Sequence, residues 1–354
     1  MAGSDPARAA ALGSALAARA VAAGDLAAAS IAQRALGLAA LHTKDVDVAI
    51  AHLREAVTHA RRCGSPRLAA QARMTLAFAH SSRGRSRQGL REIETALGDL
   101  DGVDQARAQA QRAAILLQLG RRDEALEGYN ATLPVLRGAQ DWTWVWRVLS
   151  NRAVLHGQRL ELAAAEADLR EAAQLCERLE LRTFAAYTQQ NLGWVATLAG
   201  DVPAALSYLD DAERRLRALD SQIGVVLRDR AELLLSVYLV AEARAAAQEA
   251  IAALEHEHRY NVLPEARLLL ARAATLDGDP ALAVAQARRA ALEFRRQGRT
   301  DWYAAARLAV LISGDDPTPR RAGRAGSGRA VLREAERVAE TLEAARWSAS
   351  AIEA

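Results

Sequence analysis

The sequence predicts an all-α fold, a right-handed α-solenoid of about seven helical hairpins of 36–40 residues with further helices at the ends. A small residue recurs within helical patterns at steps of 40, 36, 40, 40, 38 and 40 residues, a period typical of stacked hairpins. Roughly a quarter of the 354 residues are alanine, aromatic residues make up 4%, and no run alternates with the period of a strand. The recurring small residues are Ala49, Gly89, Ala125, Ala165, Ala205, Ala243 and Ala283.

A helical pattern precedes the repeats. Asp5-Pro6 starts it and it runs through Ala22, with proline in the first turn, where its missing N–H costs nothing. The pattern lies only about 20 residues before the next helix, half of a repeat. Residues 1–24 are therefore expected to form a half-repeat that caps the stack.

The clearest hairpin lies between residues 190 and 212. Its first helix contains Gly193, which lets a neighbouring helix approach closely, and Gly200 ends that helix because glycine adopts the left-handed conformation without steric cost. Asp201 is placed to cap the second helix, and Pro203 falls in its first turn. The second helix then has one narrow apolar face, made by Ala205, Leu209 and Ala212. Such a hairpin buries its surface only against its neighbours.

This hairpin, QNLGWVATLAGDVPAALSYLDDA, resembles the tetratricopeptide repeat. The resemblance extends from about Leu26 to Arg296 and implies that residues 25–312 form the solenoid, with the first helix of each hairpin on the concave face. The chain departs from the family pattern in its longer repeats and in Gly89, which replaces the usual alanine. In three hairpins an arginine stands where a leucine is usual: Arg112, Arg152 and Arg230.

The repeats are followed by a stretch rich in Gly, Ser and Pro, residues 313–328, which is expected to be a flexible basic linker. An anionic partner is the alternative use of its arginine cluster, Arg320, Arg321, Arg324 and Arg329. A helical pattern resumes from Arg329 to Ala345, and the residues after Trp347 resemble the start of a further, incomplete hairpin. We expect residues 329–354 to stack on the last repeat and to leave an apolar edge that self-associates.

Charge and hydropathy argue against nucleic-acid and membrane partners. The net charge of +3 is mild, and acidic and basic residues are mixed along every helix, so no basic footprint forms. No apolar run reaches the roughly 18 residues of a membrane span. Charged residues such as Arg8 and Arg19 interrupt the alanine-rich N-terminus, which therefore does not read as a signal peptide. A cytoplasmic location is expected.

The sequence offers little material for catalysis. Lys44 is the single lysine, and no glycine loop precedes it, which argues against a phosphate cradle and a Schiff base. Cys63 and Cys176 are far apart and are expected to be reduced, and neither has a histidine nearby in sequence. We therefore predict no catalytic residue and no cofactor.

Two histidine patterns do not fit a metal site. His256 and His258, in Glu255-His256-Glu257-His258, are two residues apart and point away from each other on a helix. A capping or surface role near a helix C-terminus explains them better. His52 and His59 lie two turns apart, about 10 Å, too far to share a metal. No metal is predicted.

Three tryptophans cluster at residues 142, 144 and 146. On a helix, Trp142 and Trp146 share a face while Trp144 points elsewhere. Packing of Trp142 and Trp146 between hairpins is favoured, and an exposed aromatic anchor for a partner is the alternative.

The predicted function rests on the concave face. Asn151 and Asn191 occupy the same repeat position, and an amide there both donates to and accepts from a peptide backbone. Hydrogen bonding of these amides to neighbouring helices is an equal alternative. The residues expected on or near this partner-binding face are Arg34, Gln71, Met74, Arg107, Gln111, Arg147, Asn151, Gln158, Tyr187, Gln190, Asn191, Trp194, Arg228, Asp229, Glu232 and Arg272.

The sequence therefore predicts a non-catalytic scaffold that binds a protein or peptide. Its Ala/Arg-rich style and its ending, EAARWSASAIEA, are similar to the repeat region that precedes a CHAT domain, a caspase-like peptidase module, in actinobacterial proteins. That resemblance implies an alternative function, in which the chain regulates or recruits substrates for a peptidase domain outside it. A sensor module of a bacterial transcription regulator is the second alternative.

Overall fold

The computed structural model describes residues 6–43, 45–313 and 335–342. The chain divides into two compact units, residues 1–148 and 149–354. Both are built from helices that pack on their sequence neighbours, and the described residues contain no strand. The predicted all-α fold of stacked helical hairpins is confirmed.

Seventeen helices lie within the described residues. Seven pairs, from α2–α3 to α14–α15, are the predicted hairpins, and α1, α16 and α17 flank them. The helices are α1 Pro6–Ala22, α2 Leu26–His42, α3 Val46–Arg62, α4 Pro66–Ser82, α5 Ser86–Leu97, α6 Gly102–Gln118, α7 Arg122–Gly138, α8 Trp142–Gln158, α9 Leu162–Arg178, α10 Arg182–Ala199, α11 Val202–Ala218, α12 Gly224–Ser236, α13 Val240–His256, α14 Leu263–Leu276, α15 Pro280–Gln297, α16 Thr300–Ile312 and α17, residues 335–342.

Close helix approach explains the recurring small residues. All seven are buried on second helices, and the six alanines have at most 1% of their surface exposed. The facing first helices also use small residues: a Cβ on Gly193 would lie 2.8 Å from the Leu209 side chain, and one on Gly37 would lie 2.6 Å from Leu53. A larger side chain at these positions would push the two helices of a hairpin apart. Gly13 on α1 is a further small residue of this kind, which the repeat pattern missed: a Cβ there would lie 2.8 Å from the Leu36 side chain.

The turns within and between hairpins share one regular spacing, which is half of the hairpin period. A left-handed residue follows most helices about every 20 residues, and glycine fills this position in several turns, including Gly200 with φ of 76°. The clear hairpin follows its predicted pattern, since Asp201 also accepts a hydrogen bond from the Ala204 N–H at 3.1 Å. Six turns place a residue with a Cβ at positive φ, at a steric cost: Gln140, Leu160, Glu180, Asp220, Tyr238 and His258.

The arginines that replace leucine are paired with acids on second helices. Arg152 donates to both carboxylate oxygens of Asp168, at 2.7 and 2.6 Å. Arg230 pairs with Asp210 and Glu213 on α11, at 2.6 and 2.9 Å. Arg112 pairs in the same way with acids of α5 and α7. These ion pairs replace the usual apolar contact between helices.

The acidic residue within the histidine pattern has a structural role that the sequence did not reveal. Helix α12 begins without a side-chain cap of its own at Ile223. The buried Glu257, which follows α13, accepts hydrogen bonds from the N–H groups of Ile223 and Gly224 at 2.6 and 3.0 Å. His258 contacts Tyr260, with 2.9 Å between its Nδ1 and the hydroxyl. The segment therefore caps one helix and forms a turn.

The end of the second unit packs on α16. Val338 and Leu342 of α17 are buried beside Ala304, so this part of the predicted C-terminal helix does stack on the preceding helix. The predicted linker, its arginine cluster and the ending after Trp347 lie outside the described residues. No helix among the described residues is long and apolar enough to cross a membrane.

The buried small positions generate a test. Ala205 is fully buried, and we expect Ala205→Trp to overpack the contact with α10 and to cost about 1–3 kcal/mol or more of the free energy of unfolding. Urea denaturation followed by circular dichroism measures this cost. The exposed Ser207 on the same helix supplies the control, Ser207→Trp, which should change stability by less than about 0.5 kcal/mol. Equal effects would contradict the close-approach explanation.

The left-handed turn at Tyr238 generates a second test. Its side chain is 72% exposed and its φ is 57°, so little packing offsets the steric cost of its Cβ. We expect Tyr238→Gly to stabilise the protein by about 1 kcal/mol, because glycine removes that cost. Tyr238→Ala is the control, since it removes the ring and keeps the Cβ. A rise in the thermal midpoint for both variants would show that the ring, and not the backbone, causes the effect.

Candidate partner-binding face

The residues predicted to bind a partner all lie on the first helices of hairpins. We call the surface that these helices form in each unit its first-helix face. In the first unit the predicted residues belong to α2, α4, α6 and the start of α8: Arg34, Gln71, Met74, Arg107, Gln111 and Arg147. In the second unit they belong to the rest of α8 and to α10, α12 and α14: Asn151, Gln158, Tyr187, Gln190, Asn191, Trp194, Arg228, Asp229, Glu232 and Arg272.

In the first unit, polar side chains form a ladder, a continuous series of side-chain contacts that connects successive first helices. Arg34 donates to the Gln71 amide oxygen at 3.3 Å, and Gln71 donates to Asp104 at 3.0 Å. Arg107 then pairs with Asp104 at 3.1 Å and with Asp141 at 2.6 Å. The predicted partner-binding side chains Arg34, Gln71 and Arg107 are thus already engaged with neighbouring helices.

Two further residues of the first unit differ in their availability. Gln111 is buried and donates to the backbone oxygen of Met74 at 2.7 Å, so its amide joins α6 to α4. Arg147 is exposed, and its guanidinium carbon lies 5.2 Å from the centre of the Trp144 ring.

The three clustered tryptophans differ in burial. Trp146 is buried, as the packing interpretation predicts, whereas Trp142 and Trp144 are half-buried.

A second ladder runs through the second unit. Gln190 donates to Asp229 at 2.6 Å, and Asp229 also pairs with Arg228 at 2.5 Å. Arg228 bonds Glu265 on α14, and Glu265 pairs with Arg299, which precedes α16, at 2.7 Å. This chain of contacts joins α10, α12, α14 and α16 through side chains that are mostly buried. Tyr187 makes a separate contact, 3.0 Å between its hydroxyl and that of Ser221.

The buried position of Asp229 in this ladder changes the pKa of its carboxyl group. Its side chain is fully buried, and burial raises its pKa to about 7, although Arg228 and Gln190 act to lower it. Glu232 and Glu265 add to the rise. A carboxyl group in this position gives up its proton in the folded protein only near neutral pH.

A few predicted residues remain outside both ladders. Asn151 and Asn191 are half-buried, and neither side chain makes a hydrogen bond with another residue that the structure describes. Glu232 and Arg272 are also half-buried and form no ion pair within the described residues. The Trp194 ring packs against α8, where a Cβ on Gly157 would meet it at 2.4 Å. Gln158, in contrast, does interact with another residue.

The sequence did not predict the residues that complete the two ladders. Asp104, Glu265 and Arg299 each bond a side chain on the preceding first helix and were not predicted. The sequence does contain a signal for these contacts, because residues of opposite charge lie about one repeat apart. Arg228 and Glu265, for example, are 37 residues apart. Two exposed apolar side chains of first helices, Ile31 and Phe78, were also missed.

A cleft of about 520 Å³ lies at the turn between α9 and α10 and the end of α11. Its lining includes Cys176, Arg182 and Arg215. The Cys176 thiol is buried beside Thr188, and burial raises its pKa, which keeps it protonated and a poor nucleophile. Cys63 and Cys176 are both free thiols.

Similarity to known proteins lies in the fold. No protein-family model matches the chain, and no curated protein matches it by sequence. A Rap protein solved in complex with competence and sporulation factor superposes with a TM-score of 0.59 over 94% of this chain and 99% of that one, at 12% identity. Aspartyl phosphate phosphatase F from Bacillus subtilis gives 0.59 over 78% and 74%, also at 12% identity.

A third solved structure carries the name of the predicted repeat. It is a signal transduction ATPase with numerous domains from Pyrococcus horikoshii, which has a tetratricopeptide repeat sensor. It superposes with a TM-score of 0.50 over 90% of this chain and 49% of that one, at 11% identity. The chain therefore has a helical-repeat fold of the tetratricopeptide type.

The buried Asp229 generates a test of the ladder. Its pKa is near 3.8 in an unfolded chain and is raised to about 7 in the folded protein. Between these values the folded state holds a proton that the unfolded state has released, so stability falls as the pH rises from about 4 to 7. Asp229→Asn does not titrate, so we expect its free energy of unfolding to rise relative to that of the wild type by roughly 4 kcal/mol across this window. Urea midpoints at several pH values measure this; a constant difference would argue against the raised pKa.

Proposed function

We propose that this protein is a non-catalytic scaffold whose second unit binds an extended segment of a protein partner on its first-helix face. The observation that carries the proposal is the pair Asn151 and Asn191. They occupy the same position on the neighbouring first helices α8 and α10, and neither amide has a hydrogen-bond partner among the described residues.

Half-buried amides without partners suit a peptide backbone. Each carboxamide provides one acceptor and two donors, and the backbone of an extended segment presents the complementary groups on its edge. Neither amide is among the buried unpaired polar groups of the described residues, so each hydrogen bond to a bound backbone replaces one to water and gains about 0.5–1.5 kcal/mol. Two amides one repeat apart therefore hold a segment that lies across the first helices, without reading its side chains.

The ladders support the same site. Because Gln190, Arg228 and Asp229 are bonded to one another or to α14, the helices beneath the segment are held in place before it binds. A preorganised surface loses less entropy on binding. The same bonding makes these three residues supports for the site and not primary contacts.

Two of the solved structures of similar fold have names that indicate binding or sensing, whereas aspartyl phosphate phosphatase F is named for catalysis. One of them is a Rap protein complexed with competence and sporulation factor, and another contains a tetratricopeptide repeat sensor. Both describe a helical-repeat array that binds or senses. Within this chain, the protonated Cys176 also offers no activated nucleophile.

A narrower function is the recruitment of substrates to a CHAT peptidase domain outside this chain. Its support is the similarity of sequence style and of the ending EAARWSASAIEA. Affinity purification from the native cell, followed by mass spectrometry, would find a peptidase among the partners if this function is correct.

The amide pair generates a direct test. We expect Asn151→Ala with Asn191→Ala to weaken binding of an extended peptide by about 1–3 kcal/mol in total, because each removes hydrogen bonds worth roughly 0.5–1.5 kcal/mol. Peptides selected by the wild-type protein from a phage-displayed library of random peptides supply the ligand, and fluorescence anisotropy measures the affinity. Circular dichroism should show unchanged helical content.

A matched control removes two amides elsewhere. Gln174 and Gln248 are exposed on the second helices α9 and α13, so Gln174→Ala with Gln248→Ala should leave affinity unchanged. Normal binding by the asparagine double variant, or its unfolding, would favour a structural role for these amides and count against the proposal.

A further inference from the structure

Three chemically different residues occupy one repeat position on the second unit. Trp194, Glu232 and Arg272 lie on α10, α12 and α14, with 38 and 40 residues between them. Trp194 and Glu232 come four residues after Gln190 and Arg228, which bond the next first helix. Residues four apart share a helix face, so this row lies one turn beyond the ladder on the first-helix face.

The two charges of the row are not neutralised by contact. Glu232 and Arg272 make no ion pair within the described residues, and the buried Nε of Arg272 has no hydrogen-bond partner. Burial lowers the pKa of Arg272, and the Glu232 carboxylate opposes this from a distance. Glu232 also acts on Arg228 and Asp229, which are paired with each other. A half-buried charge without a close counter-charge is costly, so a ligand that supplies one gains affinity.

The third member of the row provides apolar surface. The Trp194 ring packs on the core cluster of Ala153, Leu169 and Val195 and against Gly157, yet remains half-exposed. Its position is fixed by that packing. A rigid, partly exposed indole is a platform for an apolar or aromatic side chain.

The distance between neighbouring residues of the row can be expressed as a number of residues along an extended peptide. Neighbouring first helices α10, α12 and α14 are in contact, and the axes of packed helices lie about 8–10 Å apart. An extended chain advances about 3.3 Å per residue. One helix step therefore corresponds to about three residues of a segment that crosses the helices.

We infer that this face selects a segment with an apolar or aromatic residue opposite Trp194, a basic residue about three positions along opposite Glu232, and an acidic residue about three further opposite Arg272. The inference names the partner class of the proposed binding function and rests on it. Asn151 and Asn191 hold the backbone, and the row reads the side chains. The opposite signs of Glu232 and Arg272 set the direction in which the segment lies.

A charge exchange tests the order. The full-length protein and the variant Glu232→Arg with Arg272→Glu, which keeps the same net charge, are each used to select from a phage-displayed library of random 12-residue peptides. We expect the wild type to enrich the apolar, basic, acidic order and the variant to enrich the apolar, acidic, basic order. Synthetic peptides of identical composition, with base and acid exchanged, should show a roughly tenfold preference that reverses between the two proteins.

The outcomes separate this inference from the proposed function. Selection of the same pattern by both proteins, or of no charge order, overturns the inference while peptide binding still depends on Asn151 and Asn191. Failure of the wild type to select any peptide, or selection that ignores both asparagines, overturns the two together. If circular dichroism shows that the exchange variant misfolds, Glu232→Gln and Arg272→Gln replace it. Each should then lose enrichment only for the charge opposite its own position; unchanged enrichment overturns the inference.

Discussion

The structure depends on how closely the two helices of each hairpin approach. At the contact between α10 and α11, Gly193 has no room for a Cβ, because Leu209 would lie 2.8 Å from it, and Ala205 is fully buried. The contact between α2 and α3 repeats this geometry with Gly37 and Ala49. Such contacts set the distance between helices and therefore the distance over which polar side chains of successive first helices meet. Larger side chains at these few positions would disrupt the ladders as well as the core.

Close first helices explain why most polar residues of the first-helix face bond to one another. Long side chains such as Arg228 and Gln190 reach the next helix, where an acid meets them, and desolvation strengthens each contact. The short side chains of Asn151 and Asn191, at the adjacent position, bond no other residue in the described part of the chain. The face thus combines a network of bonded side chains with a few polar side chains that bond no other described residue.

The low identity to proteins of similar fold follows from the same constraint. A Rap protein superposes over 94% of this chain at 12% identity, because the fold demands small residues at a few contacts and only helical, mostly apolar patterns elsewhere. The ion pair between Arg152 and Asp168, at a site where leucine is usual, shows how different chemistry satisfies one packing position.

The sequence by itself determined the hairpins, the buried small positions and the caps such as Asp201, because these depend on local conformation and on a period that is visible along the chain. It also located the first-helix face, since repeat positions convert directly into helix faces. The tertiary structure alone decided which of those side chains are engaged. Gln190 bonds Asp229, Arg228 bonds Glu265, and Glu257 caps α12. The partners in these contacts are 33 to 39 residues apart in sequence, and the rotation and spacing of their helices bring them together. No local sequence pattern contains this information. The same long-range geometry leaves the side chains of Asn151 and Asn191 without a hydrogen bond to any other described residue, and it alone separates the engaged side chains from the unengaged ones.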